Sequence, residues 1–369
     1  MAAFATHSFN LPTGELTLCL PLAVNPDDYF HVEARRNPKR GFLFVSTLLG
    51  KHLPVSVGRL RKVHIKLAER VLAQRPDADV TLVIGMAETA TMLGYGVWRA
   101  LDSTLAGQPG DRRAYFLQTT RYRLNQPAWA FEERHSHAPS QWLHGLDDPR
   151  LAQVTRVVLV DDELSTGQTF HALEAVLRAQ LPQVKAVDWV CLTDFRPAAY
   201  LDHEAISLLQ GEWAWIWHGT PEPADLAEGQ AVDPAVLRAD FGRAAPLDRD
   251  GREVAVRQAK AWLAGVKVQG SVLMLGTAEF MALPLELAEI LAKRPGVDSV
   301  AFQATTRSPA LMPATCLGPD HYGEGVEQFV YNYTRANYET VLVAVETPPS
   351  AATAALGAAL GAQVIGPAA

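Results

Sequence analysis

The stretch that decides the fold is Val-Val-Leu-Val-Asp-Asp-Glu-Leu-Ser-Thr-Gly-Gln-Thr, residues 157–169. Four apolar residues end in the adjacent carboxylates of Asp161 and Asp162, and a short polar turn follows. Apolar residues then recur at helical spacing from Phe170 onward. The pattern predicts a strand, a loop and the N-terminus of a helix.

The predicted loop has the composition of an anion site. Its backbone N–H groups and the hydroxyls of Ser165, Thr166 and Thr169 converge on one point, with Gly167 and Gln168 between them, which favours a phosphate. Acidic side chains repel phosphate, so the two preceding aspartates are expected to bind hydroxyl groups of the same ligand. Ribose 5-phosphate combines both groups. The alternative is an ordinary strand-to-helix turn with a polar N-cap.

Composition limits the classes of protein that remain. A length of 369 residues with 48% hydrophobic residues predicts two or more domains in a globular protein. A net charge of −7 and a pI near 5.9 argue against nucleic-acid binding. The three cysteines lack the spacing of a zinc site, and no run of residues resembles a signal peptide or a membrane span. The expected location is the cytoplasm.

Strands alternate with helices along the chain, which predicts an α/β fold with a parallel sheet and flanking helices. A segment rich in Pro, Asp, Glu and Ala separates the two halves. The predicted division is a first domain at 1–218, a linker at 219–250 and a second, smaller α/β domain at 251–369.

The second domain repeats motifs of the first in the same order, which predicts a diverged copy of one α/β unit; coincidence among short motifs is the alternative. The paired segments are 84–88 with 275–279, 119–121 with 305–307, and 157–162 with 341–346. The second copy has two prolines where the first has its phosphate loop, and prolines lack a backbone donor.

The second copy therefore has a different candidate site, which binds another molecule or only supports the first domain. The three segments are expected to meet at one edge of a parallel sheet. Arg307 would contact an anion there, or pair with an acidic residue as a structural bridge. The candidate residues are Gly276, Glu279, Thr306, Arg307 and Glu346.

Residues 157–169 resemble the phosphoribosyl-pyrophosphate motif of type I phosphoribosyltransferases. In that family the acidic pair holds the ribose 2′- and 3′-hydroxyls and the following loop holds the 5′-phosphate. The resemblance implies Asp161 and Asp162 as catalytic residues and Mg²⁺ as cofactor. The ion would be bound through the substrate, with the two aspartates as candidate ligands.

Two further motifs resemble a bacterial subgroup that accompanies tellurite-resistance and stress gene clusters. They are residues 37–46, Asn-Pro-Lys-Arg-Gly-Phe-Leu-Phe-Val-Ser, followed by Gly-Lys-His at 50–52, and Thr-Arg-Ser-Pro at 306–309. The last motif names the TRSP domain of that subgroup. The resemblance implies transfer of phosphoribose to an unidentified base-like acceptor, with release of pyrophosphate, in a nucleoside-like biosynthetic or stress-related pathway.

A second loop resembles the pyrophosphate loop of the family by its position. Gly85, Met86, Ala87 and Glu88 follow a predicted strand and precede a helix, so their amides suit an anion. Glu88 conflicts with this role because a carboxylate repels pyrophosphate, unless it contacts the metal or the acceptor. The alternative is a glutamate that stabilises the helix N-terminus.

Further candidate contacts lie in polar loops. Arg121 follows the next strand and is a candidate phosphate clamp. Lys39 and Arg40 belong to the N-terminal motif, and solvated loop residues are the alternative for all three. His135 and His137 lie in residues 122–145, where the family has a mobile lid, and are candidates for proton donation or phosphate contact. The pair is less suited to a metal site, because the sequence shows no third ligand near it.

Two other functions stay open at this point. A non-enzymatic regulator could sense a nucleotide in the same pocket, and a phosphorylase-like or hydrolytic enzyme could act on a nucleoside phosphate. The expected partners are phosphoribosyl pyrophosphate and an unknown acceptor, with neither a membrane nor nucleic acid, and a homodimer is a candidate assembly.

Overall fold

The computed structural model describes residues 3–35, 40–76, 80–109, 112–122, 124, 126–132, 140–218, 240–307, 310–311, 314–319, 327–348 and 350–368. Three of the candidate site residues, Lys39, His135 and His137, lie outside these ranges.

The described residues contain strands and helices in alternation. The strands are β1 Phe4–Leu11, β2 Gly14–Pro21, β3 Phe30–Ala34, β4 Phe42–Ser46, β5 Val55–Ser56, β6 Val80–Gly85, β7 Arg113–Gln118, β8 Ala128–Glu132, β9 Ser140–His144, β10 Arg156–Leu164, β11 Ala186–Asp194, β12 Ala205–Gln210, β13 Glu212–Trp217, β14 Gly270–Gly276, β15 Val297–Ala304, β16 Ala314–Pro319, β17 Glu327–Tyr331, β18 Thr340–Ala344 and β19 Gln363–Ile365. The α-helices are α1 Val57–Gln74, α2 Thr91–Leu105, α3 Gln168–Gln180, α4 Arg249–Ala259, α5 Ala282–Leu291 and α6 Ala351–Leu360.

The first half is built on a parallel five-stranded sheet, as the alternating pattern predicts. Its strand order is β12-β11-β10-β6-β7, and every neighbouring pair is parallel. The strand before the phosphate loop is longer than its apolar residues suggest. It continues through the acidic pair to Leu164, because Glu163 and Leu164 still pair with Thr193 and Asp194 of β11. Polar side chains do not end a backbone ladder.

The second half contains another five-stranded sheet, in the order β19-β18-β14-β15-β5. Its first four strands are parallel, and they follow the same spatial order as β11-β10-β6-β7 of the first sheet. Strand β5 comes from the first half of the chain and closes the edge antiparallel to β15. The shared order makes the second sheet a topological repeat of the first.

One apolar core joins the two halves. Met92 and Tyr95 on α2, and Leu283 and Leu287 on α5, belong to the same cluster of buried side chains. Helix α2 packs directly against α5. The two sheets are consequently fixed relative to each other by burial of apolar surface, the dominant favourable term in folding.

An N-terminal layer covers the carboxyl end of the first sheet. It consists of the β1-β2-β13 sheet and the β3-β4 hairpin, around a core that includes Phe30, Phe42, Phe44 and Phe195. Phe195 directly follows β11, so the layer packs on the strand ends. Among the described helices, none is both long and apolar enough to cross a membrane.

Candidate active site

The acidic pair lies where β10 leaves the sheet, and both carboxylates are partly exposed. Asp161 Oδ1 accepts a hydrogen bond from the amide of Asp162 at 2.9 Å, and Asp162 Oδ1 accepts one from Thr89 Oγ1 at 2.9 Å. Burial raises the pKa of Asp162, and the charge of Glu163 adds to the effect. Two partly exposed adjacent carboxylates can bind hydroxyl groups or a hard cation.

The loop at 165–169, the candidate phosphate site, depends on the backbone of Gly167. Its φ is +73°, a left-handed conformation that favours glycine, and a Cβ there would lie 2.6 Å from the ring of Trp189. Ser165, Thr166, Gln168 and Thr169 are partly exposed around it.

Helix α3 begins at this loop without a side-chain cap among the described residues. The amide of Gln168 makes a long hydrogen bond of 3.4 Å to Thr166 Oγ1. The first amides of a helix have no intrahelical acceptor, so this end places amide donors and a positive dipole end beside the acidic pair. The sequence-predicted anion site and hydroxyl site are therefore adjacent in the structure.

The candidate pyrophosphate loop between β6 and α2 offers fewer amides than its sequence suggests. The amide of Met86 donates to the carbonyl of Val160 at 2.9 Å, and the amide of Ala87 donates to Thr119 Oγ1 at 2.8 Å. The peptide between Ala87 and Glu88 is cis. Within the described structure, the amides that remain for a ligand are those of Glu88 and Thr89.

The Glu88 side chain lies in the junction between the two halves. Its carboxylate pairs with Lys51 Nζ at 2.8 Å and with Arg307 Nε at 3.0 Å. Burial alone would raise the pKa of Glu88, but the two cations outweigh burial and hold the pKa well below its usual range. The charge that conflicts with a pyrophosphate site is thus neutralised by the protein itself.

Arg121 is fixed through its backbone by the second half of the chain. The amide of Arg121 donates to Glu279 Oε1 at 2.7 Å, and Thr120 Oγ1 donates to Glu279 Oε2 at 2.6 Å. Despite these bonds and the nearby Arg243, burial raises the pKa of Glu279. The turn after β7 therefore has a defined position at the same edge as the phosphate loop.

Arg40 reaches the end of β10 from the N-terminal layer. It pairs with Glu163 at 2.9 Å, and its guanidinium lies 4.4 Å from the centre of the Phe42 ring. A cation held by an ion pair and an aromatic face has a fixed position. Arg40 consequently lies beside Glu163, the residue that follows the acidic pair.

The second-copy residues converge at one edge of their sheet, since β14, β15 and β18 are parallel neighbours that end at Gly276, Ala304 and Ala344. Their surroundings differ from the first copy. Glu346 is fully buried and binds Arg243 through two hydrogen bonds of 2.7 and 3.1 Å. Arg307 pairs with Glu88 of the first half.

The two copies share a hydrogen-bond motif that the sequence comparison did not include. In each, a threonine after the second strand accepts from the loop after the first strand and donates to a glutamine of the neighbouring hairpin. The two sets are Ala87, Thr119 and Gln141, and Ala278, Thr305 and Gln328. Arg243 was also missed, because no sequence pattern marks its segment.

Within the described residues, no group of three or more His, Cys, Asp or Glu side chains forms a metal site. The oxygen atoms of Asp161 and Asp162 fit a cation that is bound mainly through a substrate, because Mg²⁺ commonly keeps a few carboxylate contacts and takes its other ligands from phosphates and water.

Known structures with some similarity include two phosphoribosyltransferases. Adenine phosphoribosyltransferase from Thermoanaerobacter pseudethanolicus is 19% identical, with 49% of this chain and 95% of that chain covered at a TM-score of 0.31. A hypoxanthine-guanine phosphoribosyltransferase from Bacillus anthracis is 16% identical, with 44% and 82% covered at a TM-score of 0.28. No curated protein matches the chain.

Family models give the clearer comparison. A model described as phosphoribosyl transferase matches residues 29–212. A model described as the TRSP domain C-terminal to that family matches residues 239–360. Both lie in the chain order that the second description specifies, and the chain therefore belongs to the phosphoribosyl transferases with a C-terminal TRSP domain.

Proposed function

We propose that the protein transfers phosphoribose from phosphoribosyl pyrophosphate to a base-like acceptor and releases pyrophosphate. The observation that carries the proposal is the junction of β10 and α3. Two partly exposed carboxylates there adjoin an uncapped helix N-terminus. Hydroxyl groups and a 5′-phosphate on one ribose fit these two subsites together.

The residues contribute binding and charge placement more than covalent chemistry. The loop at 165–169 holds the 5′-phosphate, and Asp161 and Asp162 orient the ribose hydroxyls. Their negative charge stabilises the positive charge that develops on the ribose ring as its bond to pyrophosphate breaks. Alignment of the acceptor with the ring carbon supplies much of the remaining rate enhancement.

Pyrophosphate is assigned to the neighbouring strand ends. The free amides of Glu88 and Thr89 and the side chain of Arg121 are its proposed contacts. Mg²⁺, when bound through the substrate with Asp161 and Asp162 as candidate ligands, would neutralise charge on the leaving group. The N-terminal layer, with Arg40 beside Glu163, is the proposed contact surface for the acceptor.

The test uses the intact chain with phosphoribosyl pyrophosphate, Mg²⁺ and a small-molecule extract. Mass spectrometry is expected to detect a new ribosyl phosphate, and a coupled assay is expected to detect free pyrophosphate in equal amount. The matched control is Asp161→Asn/Asp162→Asn, which should form neither product. Calorimetry that detects no binding of phosphoribosyl pyrophosphate to the wild-type protein would contradict the proposal.

A further inference from the structure

The two halves of the chain exchange reciprocal contacts at the candidate pyrophosphate subsite. A glutamate that follows the first strand of each copy reaches the Thr-Thr-Arg turn of the other copy. Glu88 of the first half pairs with Arg307 of the second. Glu279 of the second half accepts hydrogen bonds from Thr120 and Arg121 of the first. Both exchanges involve elements that the proposed function assigns to pyrophosphate.

The first exchange determines where the charge of Glu88 lies. Glu88 stands in the loop whose amides are the proposed pyrophosphate contacts, and the next residue, Thr89, hydrogen-bonds Asp162. Arg307 and Lys51 hold the carboxylate inside the junction. A carboxylate without these partners would retain its full charge beside a pyrophosphate carrying several negative charges, and like charges at close range repel strongly.

Lys51 and Arg307 share this neutralisation. Its ammonium is fully buried and also donates to the carbonyl of Ala278 at 2.7 Å, so it is shared between the two halves. Arg307 is the second cation on Glu88 and the one that the C-terminal half contributes. Removal of one cation from a buried carboxylate leaves charge that is only partly compensated.

The second exchange fixes a candidate phosphate clamp. The Glu279 side chain is almost fully buried and spans the hydroxyl of Thr120 and the amide of Arg121 with its two oxygens. This contact sets the backbone of the residue whose guanidinium is the proposed pyrophosphate contact. Charge-assisted hydrogen bonds of this length are strong and directional.

We propose that Arg307 and Glu279 are positioning residues through which the C-terminal half sets the affinity of the first half for the pyrophosphate group of phosphoribosyl pyrophosphate. Arg307 keeps the charge of Glu88 out of the subsite, and Glu279 holds the backbone of Arg121. This role rests on the proposed function, and it gives the second copy a task that needs no ligand of its own.

The experiment compares two ligands by calorimetry. Ribose 5-phosphate fills only the loop at 165–169 and the acidic pair, whereas phosphoribosyl pyrophosphate with Mg²⁺ also fills the pyrophosphate subsite. In Arg307→Met, phosphoribosyl pyrophosphate should bind about tenfold more weakly or worse, while ribose 5-phosphate keeps its wild-type affinity. In Glu279→Gln the same selective loss is expected.

Rescue separates positioning from simple structural support. The double variant Arg307→Met/Glu88→Gln removes the unbalanced charge and should recover most of the lost affinity. Arg307→Lys keeps a cation near Glu88 and should retain more affinity than Arg307→Met. The matched control is Glu286→Gln. Glu286 also joins the halves, through Arg99 at 2.6 Å, but its contact lies between α2 and α5 and away from the strand ends. This control should lose stability without changing the ratio of the two affinities.

The outcomes distinguish this inference from the proposed function. A wild-type protein that binds neither ligand would contradict the proposed function and, with it, the inference. A wild-type protein that binds both, with Arg307→Met weakening both equally or neither, would overturn the inference alone. Absence of rescue by Glu88→Gln would also overturn it. If Arg307→Met does not fold, the comparison of Arg307→Lys with Glu279→Gln against wild type gives the same decision.

Discussion

The ends of β10 and β18 occupy equivalent places in two sheets of the same strand order, yet they present opposite surfaces. After β10 the acids are partly exposed, and among the described residues no side chain caps α3. After β18 the single acid is buried against Arg243, and α6 is capped by Ser350 and Thr353 in a reciprocal pair of hydrogen bonds. The edge after β10 has partly exposed hydrogen-bonding groups, whereas the described groups after β18 bond to protein partners.

The difference shows that strand order alone does not make a binding site. Both copies provide converging strand ends, but the acids after β10 are partly exposed, whereas the acid after β18 is buried. In the second copy the guanidinium of Arg243 supplies the donors that a ligand would otherwise supply. This difference agrees with the proposed positioning role of the second copy at the junction.

The largest expected contrast comes from removing acids at the two equivalent ends. Asp161→Asn/Asp162→Asn should weaken the binding of phosphoribosyl pyrophosphate about a hundredfold or more, because two charge-assisted contacts to the ribose are lost. Glu346→Gln should instead lower the free energy of unfolding by about 3 kcal/mol, since Arg243 keeps a buried charge with a weaker partner, and leave binding intact. Calorimetry and urea unfolding measure the two effects. The reverse pattern would refute the comparison.

The next contrast concerns Gly167. Gly167→Ala should disrupt the phosphate loop, because alanine is strained at φ +73° and its Cβ would meet Trp189. The variant should lose about 1–3 kcal/mol of stability. It should also bind ribose 5-phosphate measurably more weakly than the wild type. Gly265→Ala is the matched control, since its φ is +72° with no atom within 4 Å of the added Cβ. Equal affinities in both variants would argue against this loop as the phosphate site.

A smaller contrast compares hydroxyls at the two helix starts. Thr166→Ala and Thr169→Ala should each weaken the binding of phosphoribosyl pyrophosphate by about 1.5–3 kcal/mol without unfolding the protein. Each variant removes one hydrogen bond to a charged phosphate. Ser350→Ala should cost about 1 kcal/mol of stability, the usual effect of losing an N-cap, and leave binding unchanged. Wild-type affinity in both threonine variants would contradict the assignment of this loop as the phosphate site.

The sequence was sufficient for the parts of the fold that depend on local pattern. Apolar runs and their order predicted the parallel sheets, and the repeated Thr-Thr-Arg turns predicted that the copies share a topology. The sequence also predicted the strand, loop and helix around residues 165–169, and the phosphate role of this loop stays a prediction. Each of these features is encoded within a few neighbouring residues.

Contacts between the halves could not be predicted in the same way. Glu88 and Arg307 are 219 residues apart, and their pairing depends on how two complete sheets pack. Residues with no local pattern, such as Arg243, become important only when that packing brings them to a buried acid. Even the length of β10 was underestimated, because its last residues are polar and their pairing with β11 is decided by the neighbouring strand.

The smallest expected effect is a change in stability when Asp162 of the acidic pair or Glu88 of the junction is replaced. Burial raises the pKa of Asp162 above its ordinary 3.8, so its ionised form is less favourable in the folded than in the unfolded protein at neutral pH. Asp162→Asn should therefore stabilise the protein at pH 7, and the gain should shrink as the pH falls towards 3.8 and the wild-type carboxyl becomes protonated. Glu88 has the opposite sign. Its pKa lies below the ordinary 4.5, so Glu88→Gln should destabilise the protein at pH 7, and this loss should shrink as the pH falls below 4.5.

Urea unfolding of both variants and the wild type across this pH range tests the two signs together. Loss of stability in Asp162→Asn at pH 7 would show that its carboxylate supports the fold, rather than being retained at a cost to stability for a ligand. Stabilisation by Glu88→Gln would show that Lys51 and Arg307 do not compensate its burial. Opposite signs are required if the protein keeps one acid for its substrate and neutralises the other within the junction.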